Sequence, residues 1–122
     1  MYKAPPEIPN YMSKFGLYPG KSPISFESHL DGLEDQTKAI LMHVRKFVHS
    51  LGENVIEEVR PHRIVYAKSL TFRYFLDIQP RKDLLVILTR KSRQEQPLEH
   101  IVKFMQDLDG IKSEIAQAYE NI

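Results

Sequence analysis

The chain has 122 residues, of which 42% are hydrophobic and 27% charged, values that indicate one water-soluble globular domain. It contains no cysteine, which excludes disulfides, thiolate metal sites and a cysteine nucleophile. No apolar run is long enough to cross a membrane. We therefore expect a cytoplasmic protein with no membrane partner.

The net charge of +1 conceals a separation of charge along the chain. Residues 60–93 carry nine lysines or arginines and two acids, whereas residues 25–59 carry three bases and seven acids and residues 94–122 carry two and six. Two interpretations are open. In one, acidic helices neutralise a basic sheet within the fold. In the other, the basic segment presents a positive potential to an anionic partner.

Residues 1–24 form an N-terminal arm that is rich in proline and in aromatic residues. Five of the eight prolines lie here, so the segment cannot be one regular element. The arm has more large apolar side chains than a solvated tail would carry. These residues are Tyr2, Ile8, Tyr11, Met12, Phe15, Leu17 and Tyr18. We expect the arm to pack on the domain of residues 25–122 or on a second copy of it.

Two helical segments are predicted before the basic segment. Ser25 can cap a short helix that runs to Leu30. Asp35 caps the main helix, which runs to Leu51. Its apolar stripe consists of Ile40, Leu41, Val44, Phe47, Val48 and Leu51. The following residues, Glu53–Arg60, fit either a helical turn or an extended strand.

Three runs of β-branched and aromatic residues predict an antiparallel meander, and they are Arg63–Lys68, Thr71–Gln79 and Asp83–Arg90. A turn at Ser69–Leu70 places Tyr66 opposite Arg73 and Ile64 opposite Phe75. A turn at residues 80–83 then places Phe75 opposite Leu88 and Arg73 opposite Arg90. This last pair of like charges requires an acid, a bound anion or outward splaying.

The same register assigns the side chains of these strands to two faces. The face predicted to lie in the core consists of Val65, Ala67, Phe72, Tyr74, Leu76, Ile78, Leu85 and Ile87. The face predicted to be open consists of Ile64, Tyr66, Lys68, Arg73, Phe75, Leu88 and Arg90. A slip of one residue in either hairpin reverses part of this assignment.

The C-terminal section is ambiguous at one place, since His100–Gln106 fits a strand and a helix equally well. Asp109 and Gly110 interrupt the apolar pattern. A terminal amphipathic helix is predicted after them, and its apolar residues are Ile111, Ile115, Ala118 and Tyr119.

A hydrophobic pattern over residues 51–120 resembles that of a known family. The matching residues are Leu51-Gly52, Glu58-Val59, Ile64-Val65-Tyr66, Lys68, Phe72, Ile78-Gln79-Pro80-Arg81-Lys82, the Leu84–Leu88 run, Asp107-Leu108 and Ala118-Tyr119-Glu120. They resemble a small microbial domain of unknown function that is found alone or at the C-terminus of restriction-nuclease-like and predicted-transport proteins. The resemblance implies a fourth strand at His100–Gln106 and hints at an association with nucleic acid.

These features together predict an α+β fold. We expect a four-stranded antiparallel sheet with an N-terminal and a C-terminal helix on one face, plus the Pro-rich N-terminal arm of residues 1–24.

Residues able to carry out catalysis or bind a metal are not arranged in a recognisable pattern. The five histidines lack metal-ligand spacing, and neither a phosphate loop nor a serine nucleophile elbow is present. Asp77 lacks the partner residues of a restriction-nuclease site, and the adjacent Glu57 and Glu58 point to different sides. We therefore predict no catalytic residue, no metal site, no cofactor and a non-enzymatic function.

The remaining signal is a set of basic residues interleaved with aromatic ones, as in surfaces that hold phosphates and stack on bases. The predicted binding residues are Tyr66, Lys68, Arg73, Phe75, Arg81, Lys82, Arg90, Lys91 and Arg93. We predict a binding module for nucleic acid or another anionic partner. The alternative function is a protein-interaction or homodimerisation domain that uses the same face and the arm. A third interpretation is also open, in which Tyr66 and Phe75 belong to a second small core beneath the arm and the basic residues are solvated around it.

Overall fold

The computed structural model describes residues 24–122, so the predicted N-terminal arm and its packing lie outside the described residues. The α-helices are α1 (Asp35–His49) and α2 (Leu108–Asn121). The strands are β1 (Val55–Val59), β2 (Ile64–Lys68), β3 (Arg73–Pro80), β4 (Leu85–Thr89) and β5 (Leu98–Val102). Two short 3₁₀ helices, Phe26–Leu30 and Met105–Asp107, precede the two α-helices.

The strands form one antiparallel sheet in the order β1-β2-β3-β4-β5, so the prediction of four strands is wrong and that of an α+β fold is confirmed. The additional strand is β1, which comes from the segment that the sequence left open between a helical turn and a strand. Val55, Ile56 and Val59 favour extended backbone because their side chains branch at Cβ. All five residues of β1 pair with β2.

The C-terminal strand begins and ends earlier than predicted. β5 ends at Val102, and Met105–Asp107 form a 3₁₀ turn. The Asp107 side chain ends the strand because its Oδ2 accepts hydrogen bonds from the backbone N–H groups of Lys103 (3.0 Å) and Phe104 (2.9 Å). The predicted interruption at Asp109 and Gly110 is also wrong, because α2 begins at Leu108 and includes both residues.

Both helices pack on the same face of the sheet. The apolar stripe predicted for α1 is confirmed, with Ile40, Leu41, Val44 and Val48 buried in the core. The core side chains of α2 are Leu108, Ile111, Ile115 and Ala118. Ser25 caps the first 3₁₀ helix as predicted, since its hydroxyl accepts from the Ser28 N–H. Asp35 is the first residue of α1 rather than its cap, and the helix ends at His49.

The register of both hairpins differs from the prediction. Tyr66 pairs with Leu76 rather than Arg73, and Ala67 pairs with Tyr74, so Phe75 is an extra residue in a β-bulge of β3. In the second hairpin Leu76 pairs with Thr89, two residues away from the predicted register. The turn of the first hairpin extends through Phe72, and this longer turn together with the bulge displaces the pairing.

The face assignment on β2 and on part of β3 is therefore wrong. Ile64, Tyr66 and Phe75 are fully buried in the core beneath the helices, although the sequence placed them on the open face. Val65 and Ala67 are buried, as predicted, but lie outside that core, whereas Phe72 and Tyr74 are exposed. The predicted core positions of the remaining residues are confirmed, and these are Leu76, Ile78, Leu85 and Ile87.

The C-terminal helix α2 contacts β3 through aromatic side chains. The rings of Phe75 and Tyr119 meet edge to face with centroids 5.4 Å apart. The Tyr119 hydroxyl lies against the α-carbon of Gly52, where any side chain would collide with it. Among the described residues, no helix is both long and apolar enough to span a membrane.

Candidate functional site

A groove opens at the end of the sheet where β3 begins and β4 ends. It is a cavity of about 660 Å³ whose walls come from β3, from the Ser69–Phe72 turn and from the loop of residues 90–97. Four arginines line it, and they are Arg60, Arg73, Arg90 and Arg93. We call this cavity the arginine groove.

The groove exists because the first residues of β3 pair on one side only. Pairing between β3 and β4 starts at Leu76 and Thr89, with one further hydrogen bond from the Arg90 N–H to the Phe75 carbonyl (3.0 Å). Arg73 and Tyr74, which precede the bulge, pair with β2 alone. Beyond Arg90 the chain enters the loop of residues 90–97, and the space between the two strands widens into the groove.

Two exposed aromatic side chains lie at the groove. Phe72 is 78% exposed, and Tyr74 is 45% exposed. Phe72 is also the only non-glycine residue among those described that has a positive φ, at 56°. A bulky side chain in this left-handed conformation costs about 1–3 kcal/mol, and such strain concentrates at functional sites. Its backbone N–H donates to the Lys68 carbonyl (2.7 Å), which holds the conformation.

Tyr74 is held in place by a neighbouring ion pair. Its hydroxyl donates to Glu58 Oε1 (2.7 Å), and Arg60 donates to Glu58 Oε2 (2.9 Å) and to the Tyr74 hydroxyl (3.1 Å). The hydrogen bond from Arg60 lowers the pKa of Glu58 and raises that of Arg60. The hydrogen bond to Glu58 raises the pKa of Tyr74. Arg60 is therefore already neutralised, and its role is to fix the tyrosine ring.

Asp77 is the single acid of the groove lining, and only one of its oxygens is occupied. Its Oδ2 accepts from Arg63 Nη1 at 2.8 Å. Its Oδ1 is buried and accepts no hydrogen bond from the described residues. A buried carboxylate oxygen without a donor is unfavourable by roughly 1–3 kcal/mol.

The other three arginines of the groove have no acidic partner in the described part of the chain. The ion pairs between residues 24 and 122 involve other cations, and none includes Arg73, Arg90 or Arg93. Arg73 stands opposite Lys68 in the β2–β3 register, which adds a like charge. Several guanidinium groups that converge without counter-charges create a local positive potential suited to an anion.

The predicted binding residues divide into three groups. Arg73, Phe75, Arg90 and Arg93 line the groove. The predicted strand pairing of Arg73 with Arg90 is wrong, but both side chains line the same cavity. Arg81 and Lys82 follow the last residue of β3, so they lie at the opposite end of the sheet, roughly 20–25 Å from Arg73 at the usual rise per residue.

The remaining predicted residues, Tyr66, Lys68 and Lys91, are not part of the groove lining. Lys68 lies 5.0 Å from the Tyr119 ring centroid and 3.4 Å from the Glu120 carbonyl at the end of α2. Lys91 pairs with Glu114 at 3.3 Å. Tyr66 and Phe75 are fully buried, so neither presents an open ring for stacking.

Sequence reasoning missed four residues of the groove: Arg60, Phe72, Tyr74 and Asp77. Phe72 and Tyr74 were assigned to the core because they are aromatic and continue the alternation of β3. The bulge at Phe75 reverses that alternation, and no sequence signal marks it.

A second charged cluster lies on the helix-covered face of the sheet. Arg45 donates two hydrogen bonds to Glu57, both 2.9 Å long, the Tyr66 hydroxyl donates to Glu57 Oε2 (2.7 Å), and His49 Nε2 lies 3.4 Å from the same oxygen. We call these four residues the Glu57 cluster. As predicted, Glu57 and Glu58 point to opposite faces of β1.

The pKa values of the Glu57 cluster follow from its burial and its hydrogen bonds. Burial would raise the pKa of Glu57, but the hydrogen bonds from Arg45 and Tyr66 and the positive charge of Arg45 outweigh it, and the pKa is lowered. Burial and the bond to Glu57 raise the pKa of Tyr66. The hydrogen bond to Glu57 raises the pKa of Arg45. The neighbours of Arg45, Glu57 and Tyr66 therefore favour the charged form of Arg45 and Glu57 and the neutral form of Tyr66.

Comparisons with protein families, with curated proteins and with solved structures found no match to this chain. The resemblance of residues 51–120 to a microbial domain therefore stays a prediction. Among residues 24–122, no three histidine, aspartate or glutamate side chains are grouped so that they could hold a metal ion. The functional argument thus depends on the geometry of the arginine groove.

Proposed function

We propose that the protein is a non-enzymatic binding module that holds single-stranded nucleic acid in the arginine groove. The observation that carries the proposal is the convergence of Arg73, Arg90 and Arg93, without acidic partners in the described chain, beside the exposed rings of Phe72 and Tyr74.

Each part of the groove matches one part of a nucleotide. Guanidinium groups bind phosphate oxygens with paired, charge-assisted hydrogen bonds. Exposed aromatic rings stack on bases, and each stacked base contributes about 1–3 kcal/mol. A cavity of about 660 Å³ lies within the range of about 300–1,000 Å³ that is usual for small-ligand sites. Stacking requires unpaired bases, so single strands are favoured over duplexes.

Asp77 narrows the class of ligand further. A simple polyanion would meet the negative charge of Asp77, whose side chain is 21% exposed in the groove lining. A nucleotide supplies phosphates for the arginines and, in cytosine, adenine and guanine, an amino group that can donate to a carboxylate. We therefore expect oligodeoxycytidine to bind more tightly than oligothymidine, because thymine lacks an exocyclic amino group.

The test is a fluorescence titration of a labelled single-stranded oligonucleotide at two salt concentrations. The double variant Arg73→Gln with Arg90→Gln removes two phosphate contacts, so affinity falls and the magnitude of the log–log salt slope decreases by about 1.4, at about 0.7 for each contact. The matched control is Arg81→Gln with Lys82→Gln, which removes the same charge from the opposite end of the sheet. We expect the control to weaken binding much less.

Two outcomes would count against the groove. Equal losses in the two double variants would show that net charge, and not the groove, determines binding. Absence of binding by the unaltered protein at low salt, where electrostatic attraction is strongest, would remove nucleic acid as the ligand.

The competing hypothesis is a homodimerisation domain that uses this face of the sheet. Dimerisation through apolar contacts predicts little dependence on salt and a mass that rises with protein concentration. In that case the arginine variants would leave the mass unchanged, whereas substitution of Tyr74 would lower it. Sedimentation analysis of the Tyr74 variant beside the oligonucleotide titration therefore separates the two functions, because only a dimer formed through this face responds to Tyr74.

A further inference from the structure

The strand β5 forms one edge of the sheet, and large apolar side chains surround it. On its inner side it pairs with β4, and within the described chain no strand covers its outer side. Leu98 is 51% exposed, Ile101 is 52% exposed and Phe104 is 47% exposed. An exposed apolar edge is a template for pairing with another strand, and natural proteins usually protect such edges.

The backbone groups that face outward from β5 follow from the hydrogen bonds of β4. The Arg81 N–H donates to the Leu84 carbonyl, and the Arg90 N–H donates to the Phe75 carbonyl. In an antiparallel sheet these bonds alternate from residue to residue, so even-numbered residues of β4 face β3 and odd-numbered residues face β5.

The β4–β5 register transfers this alternation to the edge strand. Leu85, which faces β5, is paired with Val102, so the even-numbered residues of β5 face inward. Glu99 and Ile101 therefore direct their N–H and C=O groups away from the sheet. The edge ends at Lys103, whose N–H donates to Asp107 (3.0 Å) and whose carbonyl accepts from Gln36 (2.6 Å).

We propose that the protein forms a symmetric dimer in which β5 pairs antiparallel with β5 of a second copy, with the two-fold axis at Ile101. In this register the outward backbone groups of Ile101 bond to those of its counterpart, whereas those of Glu99 face Lys103, whose N–H and C=O are already bonded within its own chain. Glu99 stands opposite Lys103 of the second copy, and Leu98 stands opposite Phe104 of the second copy. Opposite charges and exposed apolar side chains thus meet their complements on both faces of the new strand pair.

The pattern of charge and exposure selects this register and this occupant. A two-fold axis at His100 would place Glu99 against the apolar Ile101 and Leu98 against the buried Val102, and Phe104 would stay uncovered. The spacing of Glu99, Ile101 and Lys103 is self-complementary under a two-fold rotation, as an isologous interface requires.

The dimer joins the two sheets into one of ten strands, because each copy contributes five. It does not depend on the proposed ligand, since the charges that it uses lie outside the arginine groove.

The first test is a charge exchange, followed by sedimentation analysis of the full chain over a range of concentrations. Glu99→Lys alone and Lys103→Glu alone place like charges across the interface, and we expect each to raise the dimer dissociation constant at least tenfold. The double variant, Glu99→Lys with Lys103→Glu, restores opposite charges and should return the dissociation constant close to its original value. Both side chains are exposed, so circular dichroism and melting curves should show an intact fold.

The matched control is Glu53→Lys, which reverses an exposed charge before β1, at the other edge of the sheet, and should leave the dimer intact. A protein that stays monomeric at the highest soluble concentration would overturn the proposal. It would also be overturned by a dimer that none of the variants weakens, or by single variants that weaken it while the double variant does not recover.

The second test uses the absence of natural cysteines in this chain. In Ile101→Cys the two new thiols face each other across the axis, where a hydrogen-bonded antiparallel pair has Cα atoms about 5.5 Å apart, within the range of about 4.4–6.8 Å that a disulfide spans. Mild oxidation should give a covalent dimer on a non-reducing gel. Ile56→Cys at the opposite edge is the control and should stay monomeric. Equal cross-linking of the two variants would indicate random collision and overturn the assignment.

Discussion

The two charged clusters of this protein are built from the same residue types but differ in how their charges are balanced. In the Glu57 cluster, Arg45, Tyr66 and His49 all converge on one carboxylate beneath the helices. The arginine groove is lined by the guanidinium groups of Arg73, Arg90 and Arg93. None of the three forms an ion pair with an acid of the described chain. Both clusters involve β-strand residues, and they lie on different parts of the sheet.

The difference indicates which cluster serves stability and which serves binding. A charge with all its partners inside the fold contributes to the folded state and has little left to offer a ligand. Like charges held together without partners oppose folding, and their arrangement is favourable when an anion joins them. The Glu57 cluster should therefore respond to mutation through stability, and the groove through ligand affinity.

The largest expected effect on stability comes from neutralising Glu57. In Glu57→Gln the charge of Arg45 loses its partner, and the bonds from Arg45 and Tyr66 weaken. Removing one member of a buried pair destabilises by roughly 3–5 kcal/mol. Because the Arg45 side chain is 35% exposed, we expect a smaller loss of about 2 kcal/mol in the free energy of unfolding. Urea denaturation measures it.

The adjacent residue provides the matched control. Glu58→Gln removes the same charge from the neighbouring position of β1, but its partner Arg60 is on the exposed face and 40% exposed. We expect a loss of no more than about 1 kcal/mol. Equal losses in the two variants would contradict the distinction between the clusters.

Acidification, like the Glu57→Gln substitution, should lower the free energy of unfolding through the Glu57 cluster. The pKa of Glu57 in the folded protein lies below its ordinary value of 4.5, so the folded state binds the proton less readily than the unfolded state. The stabilisation is therefore complete above pH 4.5 and is lost as the pH falls through the lower pKa of the folded state. Stability curves between pH 7 and pH 3 should be shallower for Glu57→Gln than for the unaltered protein. Parallel curves would contradict this.

The elements that were predicted correctly are those in which local pattern and tertiary packing agree. The apolar stripe of α1 repeats at helical spacing, and the runs of β2, β3 and β4 are rich in β-branched residues, so both signals lead to the observed elements. β1 was ambiguous because Glu57 and Glu58 interrupt its apolar residues. Their partners, Arg45 and Arg60, become neighbours only in the folded chain.

The residues of the candidate site were likewise predicted only where local sequence carries the information. The basic character of residues 60–93 is local information, and it includes Arg73, Arg90 and Arg93, which line the groove. The choice of aromatic partners depended on the register, which a single extra residue at Phe75 changes. A bulge is favoured by the packing of Phe75 against Tyr119, and that contact joins residues far apart in the sequence.

The smallest expected effect on stability, and the one that separates strain from contact, concerns Phe72. Asparagine tolerates the left-handed conformation that this position adopts (φ 56°), whereas phenylalanine does not. Since Phe72 is 78% exposed, its replacement gives up little burial. We expect Phe72→Asn to raise the free energy of unfolding by about 1 kcal/mol, the lower end of the usual strain.

The same substitution should act in the opposite direction on the ligand. Loss of the ring removes one stacking contact, so oligonucleotide binding should weaken by about 1–3 kcal/mol while the salt slope stays unchanged, because stacking releases few ions. Leu70→Asn is the control, since Leu70 is exposed in the same turn and has no positive φ. It should change stability by no more than about 0.5 kcal/mol.

A Phe72→Asn variant that loses stability would contradict the claim that Phe72 is strained. A variant that gains stability with unchanged affinity would remove Phe72 from the binding surface. If Phe72→Asn raises the free energy of unfolding and also lowers the affinity for the oligonucleotide, the strained conformation of Phe72 serves binding at a cost in stability.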